Sequence, residues 1–333
     1  MTLPAFRVLH PRSVADAVSM LDQHGVDAMV IAGGTDVIPN LQMRLFTPRV
    51  LVDVKPLREL AAIEFSPRDG LRIGATATLT SVLVMPWIRD KFTVIASAIG
   101  TIAGPLQRNM GTIGGNLCLE TRCRWYNQSH FWRQSLGGCL KKDGDICHVA
   151  PGGKFCWAAW SGDSAPAFLV LDAELEIASL SGTRRVPLRE FYKNDGMDRI
   201  ALARNELLTA VHVPAHMAGR RGVYQKLRVR DSIDYPLAGV AVAMEVDSAG
   251  ICKDARVALS AVNPAPMLVT QAGESLVGRK WSLELAERVA HAAIQTGKPL
   301  TTSGSTPVYR RDMVRVFTRR ALEETWKNSH GSA

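Results

Sequence analysis

Four of the six cysteines crowd into one stretch of the chain that has no periodic pattern. Cys123, Cys139, Cys147 and Cys156 fall within 34 residues, at the spacing C-x15-C-x7-C-x8-C, inside a segment 118–162 that is rich in glycine and aromatics. A loop of this length without secondary structure is uncommon unless it is functional or disordered. Four of the seven tryptophans lie in it, which argues against disorder. Something must therefore organise this segment.

Clustered thiols favour metal binding or redox chemistry over disulfides in a cytosolic chain. The spacing lacks the close C-x2-C pairs of structural zinc sites and differs from the cysteine runs of ferredoxins. From spacing alone, an iron–sulfur cluster, a zinc ion and a set of reduced structural thiols all stay open. Cys118, just upstream, and Cys252, alone in the C-terminal part, stand outside the cluster.

Composition and charge exclude a few classes of protein. The 333 residues contain no run approaching the roughly 20 apolar residues that cross a bilayer, and the start of the chain does not resemble a secretion signal. We therefore expect a cytoplasmic protein. The 40 basic residues exceed the 31 acidic ones, but the basic patch from Arg310 to Arg320 follows an amphipathic helical pattern, which is typical of a solvated helix face. Nucleic-acid binding is not expected.

The pattern of apolar runs predicts an α+β chain with two domains. The predicted boundaries are 1–215 for the first domain, with lobes of about 1–58 and 59–215 and an insertion at about 118–162, and 218–328 for the second. Helices are predicted at 13–21, 92–100, 283–295 and 312–328, and strands at 28–32, 50–54, 224–230, 238–246 and 256–262. A hairpin-type sheet is predicted for 167–171 and 175–177.

Two glycine pairs mark candidate anion-binding turns. Gly33-Gly34 follows the predicted buried strand 28–32, and Gly114-Gly115 precedes Asn116. Glycine lets backbone N–H groups approach a phosphate closely, and the concave nest that they form suits an anion. Neither pair matches the dinucleotide fingerprint G-x-G-x-x-G or the phosphate-binding loop G-x-x-x-x-G-K-[ST]. On spacing alone, ordinary tight turns explain them equally well.

Four motifs in order resemble one family. They are Ala32-Gly33-Gly34-Thr35-Asp36, Thr112-Ile113-Gly114-Gly115-Asn116, Ser161-Gly162-Asp163-Ser164-Ala165-Pro166 and Tyr224-Gln225-Lys226-Leu227. Together they resemble the FAD subunits of the xanthine dehydrogenase and carbon monoxide dehydrogenase (molybdenum hydroxylase) family, from about Phe6 to Trp326. The resemblance implies the two-lobed, PCMH-like FAD-binding fold of that family, followed by a smaller α+β domain.

The resemblance also implies residue roles. The amides of residues 30–37 would wrap the FAD pyrophosphate, Asp163 would bond a ribose or adenine-side group, and Lys226 would approach the flavin ring, where a cation raises the potential. Some relatives stack an aromatic on the flavin where this sequence has Ile102-Ala103-Gly104, so NAD access to the flavin stays open. The implied cofactor-binding residues are Val30, Ile31, Ala32, Gly33, Gly34, Thr35, Asp36, Val37, Ile102, Gly104, Thr112, Gly115, Asn116, Asp163, Leu208 and Lys226.

The cysteine segment resembles an insertion found in one branch of the family. In ordinary members the Gly-Gly-Asn turn and the aspartate motif are nearly adjacent, whereas here 47 positions separate Asn116 from Asp163. The Tyr126-Asn127-Gln128-Ser129 and Cys147-His148-Val149 runs look like the β-subunit loop of 4-hydroxybenzoyl-CoA reductases, which holds a 4Fe–4S cluster. The ligands that this resemblance implies are Cys123, Cys139, Cys147 and Cys156.

The implied function is electron transfer, with no catalytic residue for substrate chemistry on this chain. Electrons would enter from a ferredoxin-like donor at 4Fe–4S, pass to FAD, and continue to 2Fe–2S clusters on a small partner subunit and the molybdenum cofactor on a large one. The implied reaction removes the phenolic hydroxyl of 4-hydroxybenzoyl-CoA reductively, in a dimer of heterotrimers. Two alternatives stay open. One is an FAD subunit of a molybdenum hydroxylase that oxidises an aromatic or heterocyclic substrate, and the other is a zinc-stapled scaffold or nucleic-acid-binding protein.

Overall fold

The first lobe is a small parallel sheet covered by one helix. The structure, a computed structural model, describes residues 2–330. The elements of the lobe are β1 (Arg7–Leu9), α1 (Val14–His24), β2 (Ala28–Ile31), α2 (Val37–Gln42) and β3 (Val50–Asp53), with the parallel strand order β1-β3-β2. The hydroxyl of Ser13 caps α1 by accepting a hydrogen bond from the N–H of Asp16 at 3.1 Å, and α1 ends at Gly25, as predicted. Strand β2 is half-buried rather than buried.

The second lobe is a five-stranded antiparallel sheet with helices on one side. Its strand order is β4-β5-β8-β6-β7, and every pairing in it is antiparallel. The elements are β4 (Ile63–Ser66), β5 (Gly70–Gly74), α3 (Leu79–Leu83), α4 (Pro86–Lys91), α5 (Thr93–Gly100), α6 (Pro105–Met110), α7 (Ile113–Leu117), α8 (His130–Ser135), α9 (Ser164–Leu169), β6 (Glu174–Ser179), β7 (Gly182–Pro187), α10 (Leu188–Phe191) and β8 (Leu207–Val213).

One element of this lobe differs from the prediction. The run 167–171, predicted as part of a hairpin-type sheet, belongs to the buried helix α9 and the turn after it, and the hairpin is instead formed by β6 and β7. A short apolar run does not reveal by itself whether it is a strand or a buried helix. Every residue of α9 is buried, so the periodicity that marks a half-exposed helix is missing.

The C-terminal domain packs two long helices against an antiparallel sheet with the order β12-β11-β10-β9. Its elements are β9 (Arg221–Leu227), β10 (Ala238–Val246), β11 (Cys252–Ser260), β12 (Met267–Leu268), α11 (Gln271–Leu276), α12 (Leu283–Thr296) and α13 (Pro307–His330). Strand β9 also contacts α5 of the first domain, where Ser97 Oγ accepts from the N–H of Tyr224 at 3.0 Å. None of the helices in residues 2–330 is long and apolar enough to cross a membrane.

The basic patch on α13 is solvated except at its first member. Arg310 was predicted to lie on an exposed helix face, but its side chain is completely buried. Its guanidinium donates to the carbonyl oxygens of Leu237 and Leu300, each at 2.8 Å, and to that of Ala261. Burial lowers the pKa of Arg310 to about 10. Arg310 thus ties α13 to the loop before β10 and the end of β11.

We expect Arg310→Met to lower the stability of the protein, because it leaves buried carbonyl oxygens without donors. Each buried unsatisfied group costs about 1–3 kcal/mol, so the free energy of unfolding should fall by about 3 kcal/mol. The midpoint of urea denaturation measures the change. Arg311→Met is the matched control, since Arg311 is exposed one position along the same helix. Equal midpoints for the two variants would contradict this account of Arg310.

Candidate functional site

A large cavity lies between the two lobes and the loop that follows β9. Its volume is ≈ 830 Å³, within the range of about 300–1,000 Å³ that is usual for ligand sites. Of the residues predicted to bind the cofactor, most line this cavity: Val30, Ala32, Gly33, Gly34, Thr35, Asp36, Val37, Ile102, Thr112, Gly115, Asn116, Asp163 and Leu208. The predicted residues Ile31, Gly104 and Lys226 lie beside lining residues and not on the cavity surface.

The first glycine turn is held tightly against the second lobe. A Cβ atom on Gly33 would lie 2.1 Å from the carbonyl oxygen of Met110, a distance that real Cβ atoms do not reach. Gly34 has φ +72°, a conformation that glycine adopts without strain. The turn therefore needs glycine at both positions. Its backbone comes close to the cavity, where N–H groups can reach a phosphate.

The second glycine turn is fixed by two polar side chains. Thr112 Oγ1 accepts a hydrogen bond from the N–H of Gly115 at 3.1 Å and so caps α7. Asn116 Oδ1 accepts from Ser164 Oγ at 2.6 Å and from the N–H of Ser164 at 3.3 Å. The turn and the start of α9 are therefore one unit, although the whole cysteine segment separates them in the sequence.

Lys226 and Asp163 form a buried ion pair. Lys226 Nζ lies 3.1 Å from Asp163 Oδ2 and donates to the carbonyl oxygens of Thr101 at 3.2 Å and Asp234 at 2.9 Å. Tyr224 Oη donates to Asp163 Oδ1 at 2.7 Å. Burial raises the pKa of Asp163, while the Lys226 charge and the hydrogen bond from Tyr224 oppose the rise. Asp163 lines the cavity and Lys226 lies behind it, in contact with its carboxylate. A direct contact between Lys226 and a flavin stays a prediction.

Many lining residues were missed by the sequence reasoning, among them Thr76, Glu120 and Tyr235. Thr76 is buried and its hydroxyl has no hydrogen-bond partner in the described part of the chain. A buried hydroxyl without a partner at a cavity surface fits a polar ligand group. Glu120 and Tyr235 also line the cavity. The only sequence signal for Thr76 was its position as a polar residue at the end of an apolar strand, in Gly74-Ala75-Thr76.

Arg122 connects the cavity to the cysteine segment. Its guanidinium contacts the Asp36 carboxylate and the Tyr235 hydroxyl, and it lies 4.2 Å from the centroid of the Tyr235 ring. Asp36 ends the first glycine turn and Tyr235 belongs to the loop after β9, so Arg122 joins two sides of the cavity. Asp36 also accepts from Asn40 Nδ2 at 3.0 Å.

The four clustered cysteines converge on a second, small cavity. Cys123, Cys139, Cys147 and Cys156 come from widely spaced points of the segment, and each is 7–8% exposed. Trp125, Tyr126, Lys141 and His148 share the lining of the cavity with them. The ring of His148 packs 5.1 Å from that of Trp125, and Nε2 lies 2.7 Å from the Gly138 carbonyl oxygen. His148 is therefore engaged with the backbone beside the thiols.

Two of the four thiols, those of Cys123 and Cys156, have a pKa above that of a free thiol. Burial raises the pKa of Cys123 to about 12 and that of Cys156 to about 11, and the neighbouring thiol groups contribute to both shifts. Metal binding must displace the protons of these thiols. Within residues 2–330, no group of three or more His, Cys, Asp or Glu side chains is arranged to hold a single metal ion. Cys118 lines the large cavity instead, and Cys252 lies in the C-terminal sheet.

The cysteine segment is anchored on the first lobe. Arg133, which is almost completely buried, donates to the carbonyl oxygens of Met43 at 2.9 Å and Arg44 at 3.0 Å, just after α2. Leu45 and Phe46 pack against the cluster of apolar groups around the cysteines. Phe46 also lines the large cavity, so it contacts both that cavity and the apolar cluster around the cysteines.

Comparison with known proteins identifies both domains. Residues 4–216 match the model of the FAD binding domain in molybdopterin dehydrogenase, and residues 223–325 match the CO dehydrogenase flavoprotein C-terminal domain. The carbon monoxide dehydrogenase medium chain of Afipia carboxidovorans is 30% identical over 320 residues, 96% of each chain. The aldehyde oxidoreductase FAD-binding subunit PaoB of Escherichia coli is 33% identical over 258 residues, 75% of this chain and 79% of the relative.

A solved structure shows the same architecture. The crystal structure of the cyanide-inactivated Cu,Mo-CO dehydrogenase contains a chain that superposes with a TM-score of 0.80 at 28% identity. The match covers 98% of this chain and 99% of that one. The two-lobed FAD-binding fold with a C-terminal flavoprotein domain is thereby confirmed, and the large cavity lies in the part of the chain that matches the FAD binding domain.

We expect Gly33→Ala to weaken FAD binding by at least about tenfold, the equivalent of about 1.4 kcal/mol. The added methyl group would collide with the Met110 carbonyl, so the turn must move away from its position at the cavity. Titration of deflavinated protein with FAD, followed by flavin fluorescence, gives the dissociation constant.

The matched control is Gly100→Ala. A Cβ at Gly100, the last residue of α5, meets nothing within 4 Å. FAD affinity should be unchanged in this variant. If both variants bound FAD as tightly as the unmodified protein, the close approach of the turn would not matter for the cofactor.

Proposed function

The chain belongs to the family of FAD-binding subunits of molybdenum hydroxylases, and we propose that it is a member that also holds a 4Fe–4S cluster. In this proposal, electrons pass from a ferredoxin-like donor by way of 4Fe–4S and FAD to 2Fe–2S and molybdenum centres on partner subunits. The reaction served is a reductive dehydroxylation of the 4-hydroxybenzoyl-CoA type. The observation that carries the proposal is the convergence of four buried thiols on one cavity next to the FAD site.

The arrangement of the thiols favours a cluster over a zinc ion. A tetrahedral zinc site has Zn–S bonds of about 2.3 Å, which bring its thiolates within about 3.8 Å of each other. A cluster places iron and sulfide between its ligands, so its four thiolates stand farther apart around a central space. Cys123, Cys139, Cys147 and Cys156 line one cavity together with the aromatic side chains of Trp125 and Tyr126, and within residues 2–330 no three such ligands are placed to hold a single metal ion. The residues present therefore fit a 4Fe–4S cluster.

The residues of the large cavity fit FAD in a two-sided arrangement. The backbone of residues 30–37 would hold the pyrophosphate, and Thr112, Gly115 and Asn116 would contact the other side of the cofactor. The unpaired hydroxyl of Thr76 would donate or accept one hydrogen bond. When bound, FAD supplies exchange between one-electron and two-electron carriers, while this chain orients it and excludes water.

Substrate chemistry is assigned to a partner chain. The resemblance to 4-hydroxybenzoyl-CoA reductases implies a large molybdenum subunit that carries this chemistry, a small subunit with 2Fe–2S clusters, and a dimer of heterotrimers. A formal net charge of +9 suits an acidic ferredoxin, because opposite charges steer the encounter of two proteins. The cytoplasm is the compartment where such a donor and reduced thiols occur together.

A second candidate function keeps the fold and reverses the direction of electron transfer. The similar proteins include a carbon monoxide dehydrogenase medium chain and an aldehyde oxidoreductase subunit, both named for oxidations. On this reading the partner subunit oxidises an aromatic or heterocyclic substrate, and electrons leave through FAD. The third alternative, a zinc-stapled scaffold or nucleic-acid-binding protein without flavin, does not fit membership in an FAD-binding family.

Metal and flavin analysis of the anaerobically purified complex tests the cluster. We expect one FAD and, beyond the iron of the partner's clusters, about four irons with about four labile sulfides per chain. Replacing Cys123, Cys139, Cys147 or Cys156 by serine should remove those four irons and leave the FAD. Cys252→Ser is the matched control and should retain all iron, because Cys252 lies in the C-terminal sheet. Zinc in place of iron would overturn the proposal.

Rapid mixing of the complex with reduced ferredoxin tests the direction of electron transfer. Ferredoxin should bleach the flavin absorbance of the unmodified complex. Cys147→Ser should slow the bleaching by more than about tenfold, because without the cluster the electrons have no intermediate carrier between ferredoxin and FAD. Cys252→Ser should behave as the unmodified complex does. Equal bleaching rates in Cys147→Ser and the unmodified complex would favour the second candidate function.

A further inference from the structure

A buried ion pair lies between the two cavities. Glu120 lines the FAD cavity, Lys141 lines the cysteine cavity, and their charged groups are in direct contact. Their side chains are only 8% and 7% exposed. The pair joins residues 21 positions apart, and one of them belongs to the stretch between Cys139 and Cys147. It is therefore a feature that the insertion brings to the fold.

The surroundings fix both charges in place. Glu120 Oε1 accepts from the N–H of Thr121 at 2.8 Å, and Arg199 Nε lies 3.6 Å from the same oxygen. Lys141 Nζ donates to Thr121 Oγ1 at 2.6 Å and lies 4.4 Å from the centroid of the Tyr126 ring, a cation–π distance. Tyr126 itself lines the cysteine cavity. The ammonium group is thus held at a defined point beside the thiols.

Stability is a weak reason for burying such a pair. Removing two charges from water costs several kcal/mol per ion, and their attraction often does no more than compensate for it. The same low dielectric makes a fixed charge act strongly on any neighbouring group whose charge changes. The cluster proposed for the cysteine cavity is such a group, because its charge changes by one unit each time it accepts or passes on an electron.

We propose that Lys141, held by Glu120, raises the reduction potential of the 4Fe–4S cluster. The inference rests on the proposed function. One-electron reduction of the cluster adds one negative charge, and no bond is made or broken in this step. A fixed cation beside the cluster stabilises the reduced form more than the oxidised form, so the potential rises. Glu120 lines the FAD cavity and not the cysteine cavity, and its negative charge opposes part of the effect of the cation.

Redox titration of the holoenzyme, followed by the electron paramagnetic resonance signal of the cluster, tests the proposal. In Lys141→Met the reduced-to-oxidised ratio at a given potential should fall about tenfold, a shift of 59 mV to lower potential for one electron. Lys141→Arg should keep the original potential. Glu120→Gln should shift it slightly upward. A purely structural role would move the potential in the same direction in Lys141→Met and Glu120→Gln, and that result would overturn the proposal.

Lys142→Met is the matched control for loss of one positive charge. Lys142 is the next residue, pairs with Asp143 at 3.4 Å, and is 32% exposed, so solvent screens it. Its removal should leave the potential unchanged. An equal shift in Lys142→Met and Lys141→Met would overturn the specific role of Lys141.

Iron content separates the failure of the two proposals. If the unmodified complex holds no iron on this chain, the proposed function and the role of Lys141 are both overturned. If iron is present and Lys141→Met keeps the original potential, only the role of Lys141 is overturned. If Lys141→Met and Lys141→Gln both lose iron while Lys141→Arg retains it, Lys141 serves cluster assembly, and the tuning role is overturned.

Discussion

Arg122 and Ala159 exchange a pair of backbone hydrogen bonds, at 2.7 and 2.8 Å, where the cysteine segment leaves the second lobe and returns to it. The segment therefore starts and ends at the same place, and the cost of closing a loop grows only slowly with its length. Because both ends are fixed, Asn116 and Ser164 keep their 2.6 Å hydrogen bond across the insertion. The large cavity is thus assembled as if the two motifs were neighbours in the sequence.

The same base also brings the two cavities together. Glu120 lines the large cavity, Arg122 contacts the Asp36 carboxylate that also lines it, and Cys123 follows at once and lines the small cavity. Farther along, Arg133 donates to the carbonyl oxygen of Met43, just after α2, and Phe46, which lines the large cavity, packs against the apolar cluster around the cysteines. Residues that are neighbours in the sequence therefore line different cavities.

Features set by local rules were predictable from the sequence, whereas features set by chain closure were not. The cap at Ser13 and the predicted helices and strands, the run 167–171 excepted, depend on neighbours within a few residues, and the structure has them close to where they were predicted. The convergence of the four thiols followed from a family resemblance. The burial of Arg310, the pairing of Lys226 with Asp163, and the pairing of Glu120 with Lys141 join distant parts of the chain. The periodicity of apolar residues in the sequence does not indicate such contacts.

Four buried cations of this protein fall into two kinds that differ in their partners. The kind of partner depends on whether the cation lies next to the large cavity. Arg133 and Arg310 donate to backbone carbonyl oxygens and thereby hold segments together. Lys141 and Lys226 each contact a carboxylate that lines the large cavity. Carbonyl partners leave a net positive charge, whereas a carboxylate partner leaves a dipole with a direction. A dipole of fixed direction acts on a neighbouring redox group without adding net charge to the interior, so the paired lysines suit the redox role proposed for the two cavities.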